Sequence, residues 1–201
     1  MDLVFATNNP NKIREINNLL DDSFNLLGLE DIGFQGEIPE TNPTLEENAS
    51  AKAFFIYEKF SVDCFADDTG LEVEALNNQP GVYSARYAEI DGRKKFNSRR
   101  ELTEANIEKL LSLLKGRNNR KARFRTVISL VIGGEELRFE GIVRGKIIDE
   151  KRGESGFGYD PVFIAEGQNR TFAEISLDEK NRISHRAIAF RKLVDYLKGI
   201  K

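Results

Sequence analysis

Between Ala122 and Ile132 the chain alternates strictly. Ala122, Phe124, Thr126, Ile128, Leu130 and Ile132 fall on one side, and Arg123, Arg125, Val127, Ser129 and Val131 on the other. A period of two is the signature of a pleated strand, whose successive side chains point to opposite faces. Gly133-Gly134 then supplies a tight turn, and Leu137, Phe139, Gly141 and Val143 continue as the hairpin partner. A hairpin this long needs further strands or helices to cover it, so the remainder of the chain has to complete one sheet.

The flanking segments supply those elements. Leu3 to Ala6 reads as a short apolar strand, followed by a polar loop and a helix from Asn11 to Leu20; Asn25 to Leu29 reads as a second strand. Thr44-Leu45-Glu46-Glu47 has capping-box spacing and opens a helix reaching Phe60, with Leu45, Ala49, Ala53, Ile56 and Phe60 on its core face. Val62 to Ala66 reads as a strand interrupted by Asp63, with Thr69-Gly70 as the turn that follows. Thr103 to Leu114 is a further helix. Ile183, Ala187, Phe190, Val194 and Leu197 form the stripe of a last one, with Gly199 as its stop. The expectation is a mixed α/β fold with one sheet shared along a single domain, residues 1–201.

Composition narrows the function classes. With 40% hydrophobic and 31% charged residues, the chain can bury a core and is not disordered. A net charge of −3 gives no overall pull toward nucleic acid or membrane surfaces. The basic runs Arg93-Lys94-Lys95 with Arg99-Arg100, and Arg117 to Arg125, read as solvated faces, so no nucleic-acid partner is expected. Nothing approaches a membrane span, and the first residues do not read as a signal peptide. The single cysteine, Cys64, sits in an apolar strand and reads as a buried structural thiol in a reducing, cytoplasmic setting.

Four polar clusters can carry chemistry. Asp67-Asp68, ahead of Thr69-Gly70, puts like charges side by side, a cost that a hard divalent cation would remove. Thr7-Asn8-Asn9-Pro10-Asn11-Lys12 follows the first strand, where a helix N-terminus binds anions. Lys12 there opposes the helix dipole unless an anion is present, and the glycines of a P-loop are missing. Asn48 and Lys52 lie beside the apolar stripe of their helix, and Glu40, in the preceding loop, is a possible metal ligand. Gly156-Phe157-Gly158-Tyr159-Asp160 offers an aromatic face and close backbone approach, and Lys180 stands with Ser184-His185-Arg186. His185 lies off the apolar stripe, which argues against a core histidine.

Thr7-Asn8-Asn9 with Lys12, Glu40 with Glu47-Asn48 and Lys52, Ala66-Asp67-Asp68-Thr69-Gly70-Leu71, Pro80 to Tyr87, Gly156 to Asp160 and Ser184-His185-Arg186 together resemble one family in one order. It is the Ham1/RdgB-like inosine triphosphate pyrophosphatase family. The resemblance implies a mixed sheet flanked by helices, two lobes with an active-site cleft between them, and a homodimer. It also implies Mg²⁺-dependent hydrolysis of ITP, dITP and XTP to the monophosphate and pyrophosphate. Carried over, Thr7, Asn8, Asn9, Pro10, Asn11, Lys12 and Lys52 match triphosphate-handling residues. Asp68 matches the proton acceptor and, with Glu40, the metal site, while Asp67 is the neighbouring catalytic carboxylate. Thr69, Phe157, Gly158, Tyr159, Asp160, Lys180, His185 and Arg186 match substrate contacts, with Arg186 or His185 as the donor that rejects adenine. Two departures stand out: Asn8 replaces a glycine, and Ala88 to Leu102 is longer than in typical members. A regulatory module could use the same residues to bind nucleotide without turnover, and a phosphatase would release orthophosphate instead.

Overall fold

Burial along the first strand shows how the fold is layered. On β1 (Asp2–Phe5), Leu3 and Phe5 join Ile16, Phe65, Ile128, Leu130, Phe190 and Leu193. Val4, with the following Ala6, joins Leu29, Ala53, Ile56, Cys64, Ala66 and Val131. The two sets lie on opposite faces of one sheet, because neighbouring strand residues point opposite ways. The helices α1 (Pro10–Asn17) and α5 (His185–Gly199) cover the first face, and α2 (Leu45–Phe60) covers the second. These contacts come from a computed structural model that describes residues 2–20, 24–90, 92 and 95–200. Arg93 and Lys94 of the basic run, and Asp91 within the Ala88–Leu102 stretch, lie outside the described residues.

The remaining elements are β2 (Asn25–Leu27), β3 (Cys64–Val73), β4 (Gln79–Gly81), α3 (Arg99–Leu114), β5 (Lys121–Ile132), β6 (Glu135–Ile147), β7 (Phe163–Ala165) and α4 (Leu177–Ile183). The hydrogen-bonded strand order is β2-β1-β3-β5-β6-β7, and β4 pairs with β3. β1 is parallel to β2 and β3, whereas β4 and β7 are antiparallel to their partners, so the sheet is mixed and flanked by helices, as expected. Among the described residues no helix is long and apolar enough to cross a membrane.

The chain divides into two compact units, each built from several segments. One comprises Met1–Asp68, Thr126–Ile142 and Asn181–Lys201 and contains both clusters described above. The other comprises Thr69–Arg125 and Val143–Lys180. Its core includes the packed rings of Phe124, Phe163 and Phe172, together with Ile107, Leu110 and Leu114 from α3.

Several expectations need correction. Thr69-Gly70 is not a turn: β3 continues unbroken to Val73. A Cβ on Gly70 would sit 2.7 Å from the Gly81 carbonyl oxygen, so its glycine serves a close strand approach. α3 starts at Arg99, earlier than Thr103, because Ser98 caps it by accepting from the Glu101 N–H at 3.2 Å. α1 ends at Asn17, short of Leu20. Ile183 closes the separate helix α4, and Ser184 caps α5 by accepting from the Ala187 N–H at 3.2 Å.

Candidate active site

The pleat of β3 separates its two carboxylates. Phe65 packs on the α1/α5 face, so Asp67 shares that face, while Asp68 shares the α2 face with Cys64 and Ala66. Both are buried. Each therefore needs its own polar partners, since an unpaired buried charge is costly.

Asp67 finds cations from both ends of the chain. Lys12 Nζ donates to its Oδ1 at 2.7 Å, and Arg186 Nε donates to its Oδ2 at 3.2 Å. The loop holding Lys12 is ordered locally: Thr7 Oγ1 accepts from the Asn9 N–H, and Asn9 Oδ1 accepts from the Asn11 N–H, capping α1 with Pro10 in its first turn. The anion that offsets Lys12 against the helix dipole is thus a protein carboxylate. Arg186, 1% exposed, also pairs through Nη1 with Glu15, itself buried on α1. Burial opposes ionisation of Asp67, but Lys12, Arg186 and Lys52 outweigh it and hold its carboxyl well below the usual range.

Asp68 is served by α2. Asn48 and Lys52, one helical turn apart, face it: Asn48 Nδ2 donates to Oδ2 at 3.1 Å, and Lys52 Nζ lies 3.9 Å from Oδ1. Lys52 Nζ also donates to the Asp67 carbonyl oxygen at 2.7 Å and pairs with Glu40. Burial, reinforced by the charges of Glu40 and Asp67, lifts the Asp68 carboxyl above its ordinary value despite Lys52 and Lys12. Burial depresses Lys12, helped by Lys52 and Arg186. For Lys52 burial is outweighed by Asp68, Glu40 and Asp67, so its pKa rises.

Glu40 and Asp68 both approach the Lys52 ammonium, so two carboxylates converge on one small cation. Carboxylate oxygens are the donors a hard divalent ion prefers, so Glu40 and Asp68 are the residues that would hold one. No group of three or more His, Cys, Asp or Glu residues that could hold a metal occurs among the described residues.

The other expected residues have defined places. Asn8 Nδ2 donates to the Gly36 carbonyl oxygen at 2.6 Å. Asn8 is not among the non-glycine residues with positive φ, so its tolerance of that conformation is not needed. Thr69 is half-buried. In the second unit, Asp160 Oδ2 accepts from Lys180 Nζ at 2.6 Å and from the Phe157 N–H at 2.8 Å. Gly156 has φ +75°, and a Cβ there would lie 2.2 Å from Asp160 Oδ2, so its glycine makes room for this carboxylate. Lys180 Nζ stands 4.8 Å from the half-buried Phe157 ring, and Gly158 turns the loop with φ +60°. Tyr159 is buried and donates its hydroxyl to the Ser84 carbonyl oxygen at 3.0 Å.

His185 differs from expectation: it is buried, with Nδ1 2.6 Å from Thr126 Oγ1. The apolar stripe describes one side of α5, whereas at its start His185, Arg186 and Ala187 are all buried. Sequence reasoning missed Glu15 and Thr126; a carboxylate on the helix that carries Lys12 was the available signal for Glu15.

The Ham1 family model matches residues 3–196. A dITP/XTP pyrophosphatase of Christiangramia forsetii is 53% identical over 98% of this chain and 99% of its own, and that of Bacillus subtilis 46% over 98% and 96%. The Staphylococcus aureus Ham1 protein superimposes with a TM-score of 0.86 at 39% identity, covering 100% of both chains. A HAM1 protein from Coxiella burnetii also gives 0.86, at 35% identity and 99% coverage of each. The chain, which holds a buried acidic pair served by Lys12, Lys52 and Arg186 and is similar to these proteins over nearly its whole length, belongs to the Ham1 family.

Proposed function

We propose that this chain is a nucleoside triphosphate pyrophosphohydrolase that hydrolyses ITP, dITP and XTP to the monophosphate and pyrophosphate, clearing them from the nucleotide pool. The observation that carries this reading is the convergence of Lys52, Glu40 and Asp68, with Lys12 meeting Lys52 at the Asp67 carbonyl oxygen. Phosphoanhydride cleavage requires charge neutralisation and an oriented water more than covalent chemistry. The names of the relatives support the substrate class.

In this mechanism Lys12 and Lys52 offset triphosphate charge. Asp68, whose raised pKa suits a proton acceptor, takes the proton of the attacking water as the α–β anhydride link breaks and pyrophosphate leaves. Asp67 holds Lys12 and Arg186 in place from the opposite face of β3. Mg²⁺, held by Glu40 and Asp68, would supply further neutralisation of phosphate charge. Thr7 to Asn11 and Thr69 contribute substrate contacts. The family resemblance supports substrate contacts by Phe157, Gly158, Tyr159, Asp160 and Lys180 in one unit, and by His185 and Arg186 in the other. A homodimer and a cytoplasmic setting are part of the same proposal, supported by the family resemblance alone.

The test is Mg²⁺-dependent turnover of ITP, dITP and XTP beside ATP and GTP, with pyrophosphate and orthophosphate assayed separately. Pyrophosphate from the first three alone is the expected result. Tight nucleotide binding without turnover would overturn the enzyme reading, and orthophosphate release would replace it with a phosphatase.

A further inference from the structure

The side chain of Asn48 is 1% exposed and makes hydrogen bonds at both ends. Its Oδ1 accepts from the Asn42 backbone N–H at 2.9 Å, and its Nδ2 donates to the Asn42 carbonyl oxygen at 3.2 Å. A backbone N–H can only donate, so this pair fixes which end of the amide is oxygen. Nδ2 must then face Asp68 as a donor, 3.1 Å from Oδ2. Lys52, one turn later on α2, faces Oδ1 at 3.9 Å. Asn42 lies in the loop that carries Glu40, so one amide ties that loop to the carboxylate of Asp68.

We infer that Asn48 is a positioning residue for hydrolysis: it occupies Asp68 Oδ2 and keeps Oδ1 turned toward Lys52 and Glu40, where water and phosphate are handled. This rests on the pyrophosphohydrolase reading and adds a residue to it. A carboxylate free to rotate would turn its plane and lone pairs away from that side for part of the time, and small misplacements of reacting groups lower rate more than binding.

Two variants separate positioning from scaffolding. Asn48→Asp keeps an acceptor for the Asn42 N–H but removes the donor to Asp68; Asn48→Ala removes both. The expected result is a fall in kcat of about 10- to 100-fold in Asn48→Ala, and a larger fall in Asn48→Asp, whose added charge repels Asp68. The nucleotide Kd measured in EDTA should stay within about threefold of wild type. A purely scaffolding role predicts the reverse order, with Asn48→Asp nearer wild type, and would overturn the inference. In the double variant Asn48→Ala/Asp68→Asn, turnover should equal that of Asp68→Asn alone, because Asn48 acts through Asp68. A further loss proportional to the single effect would also overturn it. Should Asn48→Ala fail to fold, Asn48→Asp and its combination with Asp68→Asn give the same comparison. Wild-type protein without turnover would overturn both the function and the inference; active wild type with active Asn48 variants would overturn only the inference.

Discussion

Asp67 and Asp68 are adjacent in sequence but project from opposite faces of β3, one toward α1 and α5, the other toward α2. Strand geometry thus gives two neighbouring carboxyl groups different surroundings and shifts their pKa values in opposite directions. Such splitting can assign different tasks to chemically identical groups: Asp67 anchors cations, and the proposed mechanism gives Asp68 the proton.

The opposite shifts predict opposite stability effects. The folded-state pKa of Asp67 is depressed, so its contribution is present above the unfolded value near 4 and is lost as pH falls through the folded value. At pH 7, Asp67→Asn leaves buried cations without their carboxylate and should cost about 3–5 kcal/mol. For Asp68 the folded value is raised, so a penalty grows as pH rises from the unfolded value through the folded one. Without metal, Asp68→Asn should therefore raise Tm at pH 7 and leave it unchanged at pH 3. Thermal melts in EDTA at both pH values check both signs.

Loss of the Asp68 carboxylate should also remove the proton acceptor. Asp68→Asn is expected to lower kcat by about 10²- to 10⁴-fold. Circular dichroism should show an unchanged fold, and full activity would exclude Asp68 as the base.

Lys12 and Lys52 both donate to the Asp67 carbonyl oxygen, at 3.2 and 2.7 Å. Two ammonium groups held this close favour a multiply charged anion. Pyrophosphate at about 100 times its Kd should add about 2.7 kcal/mol of stability to the wild type. Lys12→Met should weaken that binding at least tenfold, as isothermal titration would read directly.

Gly141 lies under the first turn of α5. A Cβ there would approach the His185 carbonyl oxygen to 2.0 Å and the Ala189 nitrogen to 2.6 Å, and both are backbone atoms. Gly141→Ala should cost about 1–3 kcal/mol in urea unfolding. It should also lower kcat/KM, since α5 carries His185 and Arg186.

Much of the frame is legible locally. Ser184 and Thr44 cap their helices as their types suggest, and Gly133-Gly134 turns the hairpin. The continuation of β3 was not legible, because Asp-Asp-Thr-Gly has the local preferences of a turn. What makes it a buried strand is distant: Lys12 is 55 residues away from Asp67 and Arg186 is 119. The burial of His185 likewise depends on Thr126, 59 residues earlier. Of the candidate site, residue types and order were readable, but the division of Asp67 and Asp68 between two faces required the register of the sheet.

The pairing of Arg186 with Glu15 and Asp67 also has a consequence for biosynthesis. A ribosome delivers Glu15 and Asp67 long before the arginine that answers them, 171 and 119 residues later respectively. Until then, enclosing both carboxylates is unfavourable, so the nascent N-terminal segment has reason to stay open. Arrival of α5 then supplies the arginine and the apolar cover together, so the acidic cluster can close only after that helix has been made.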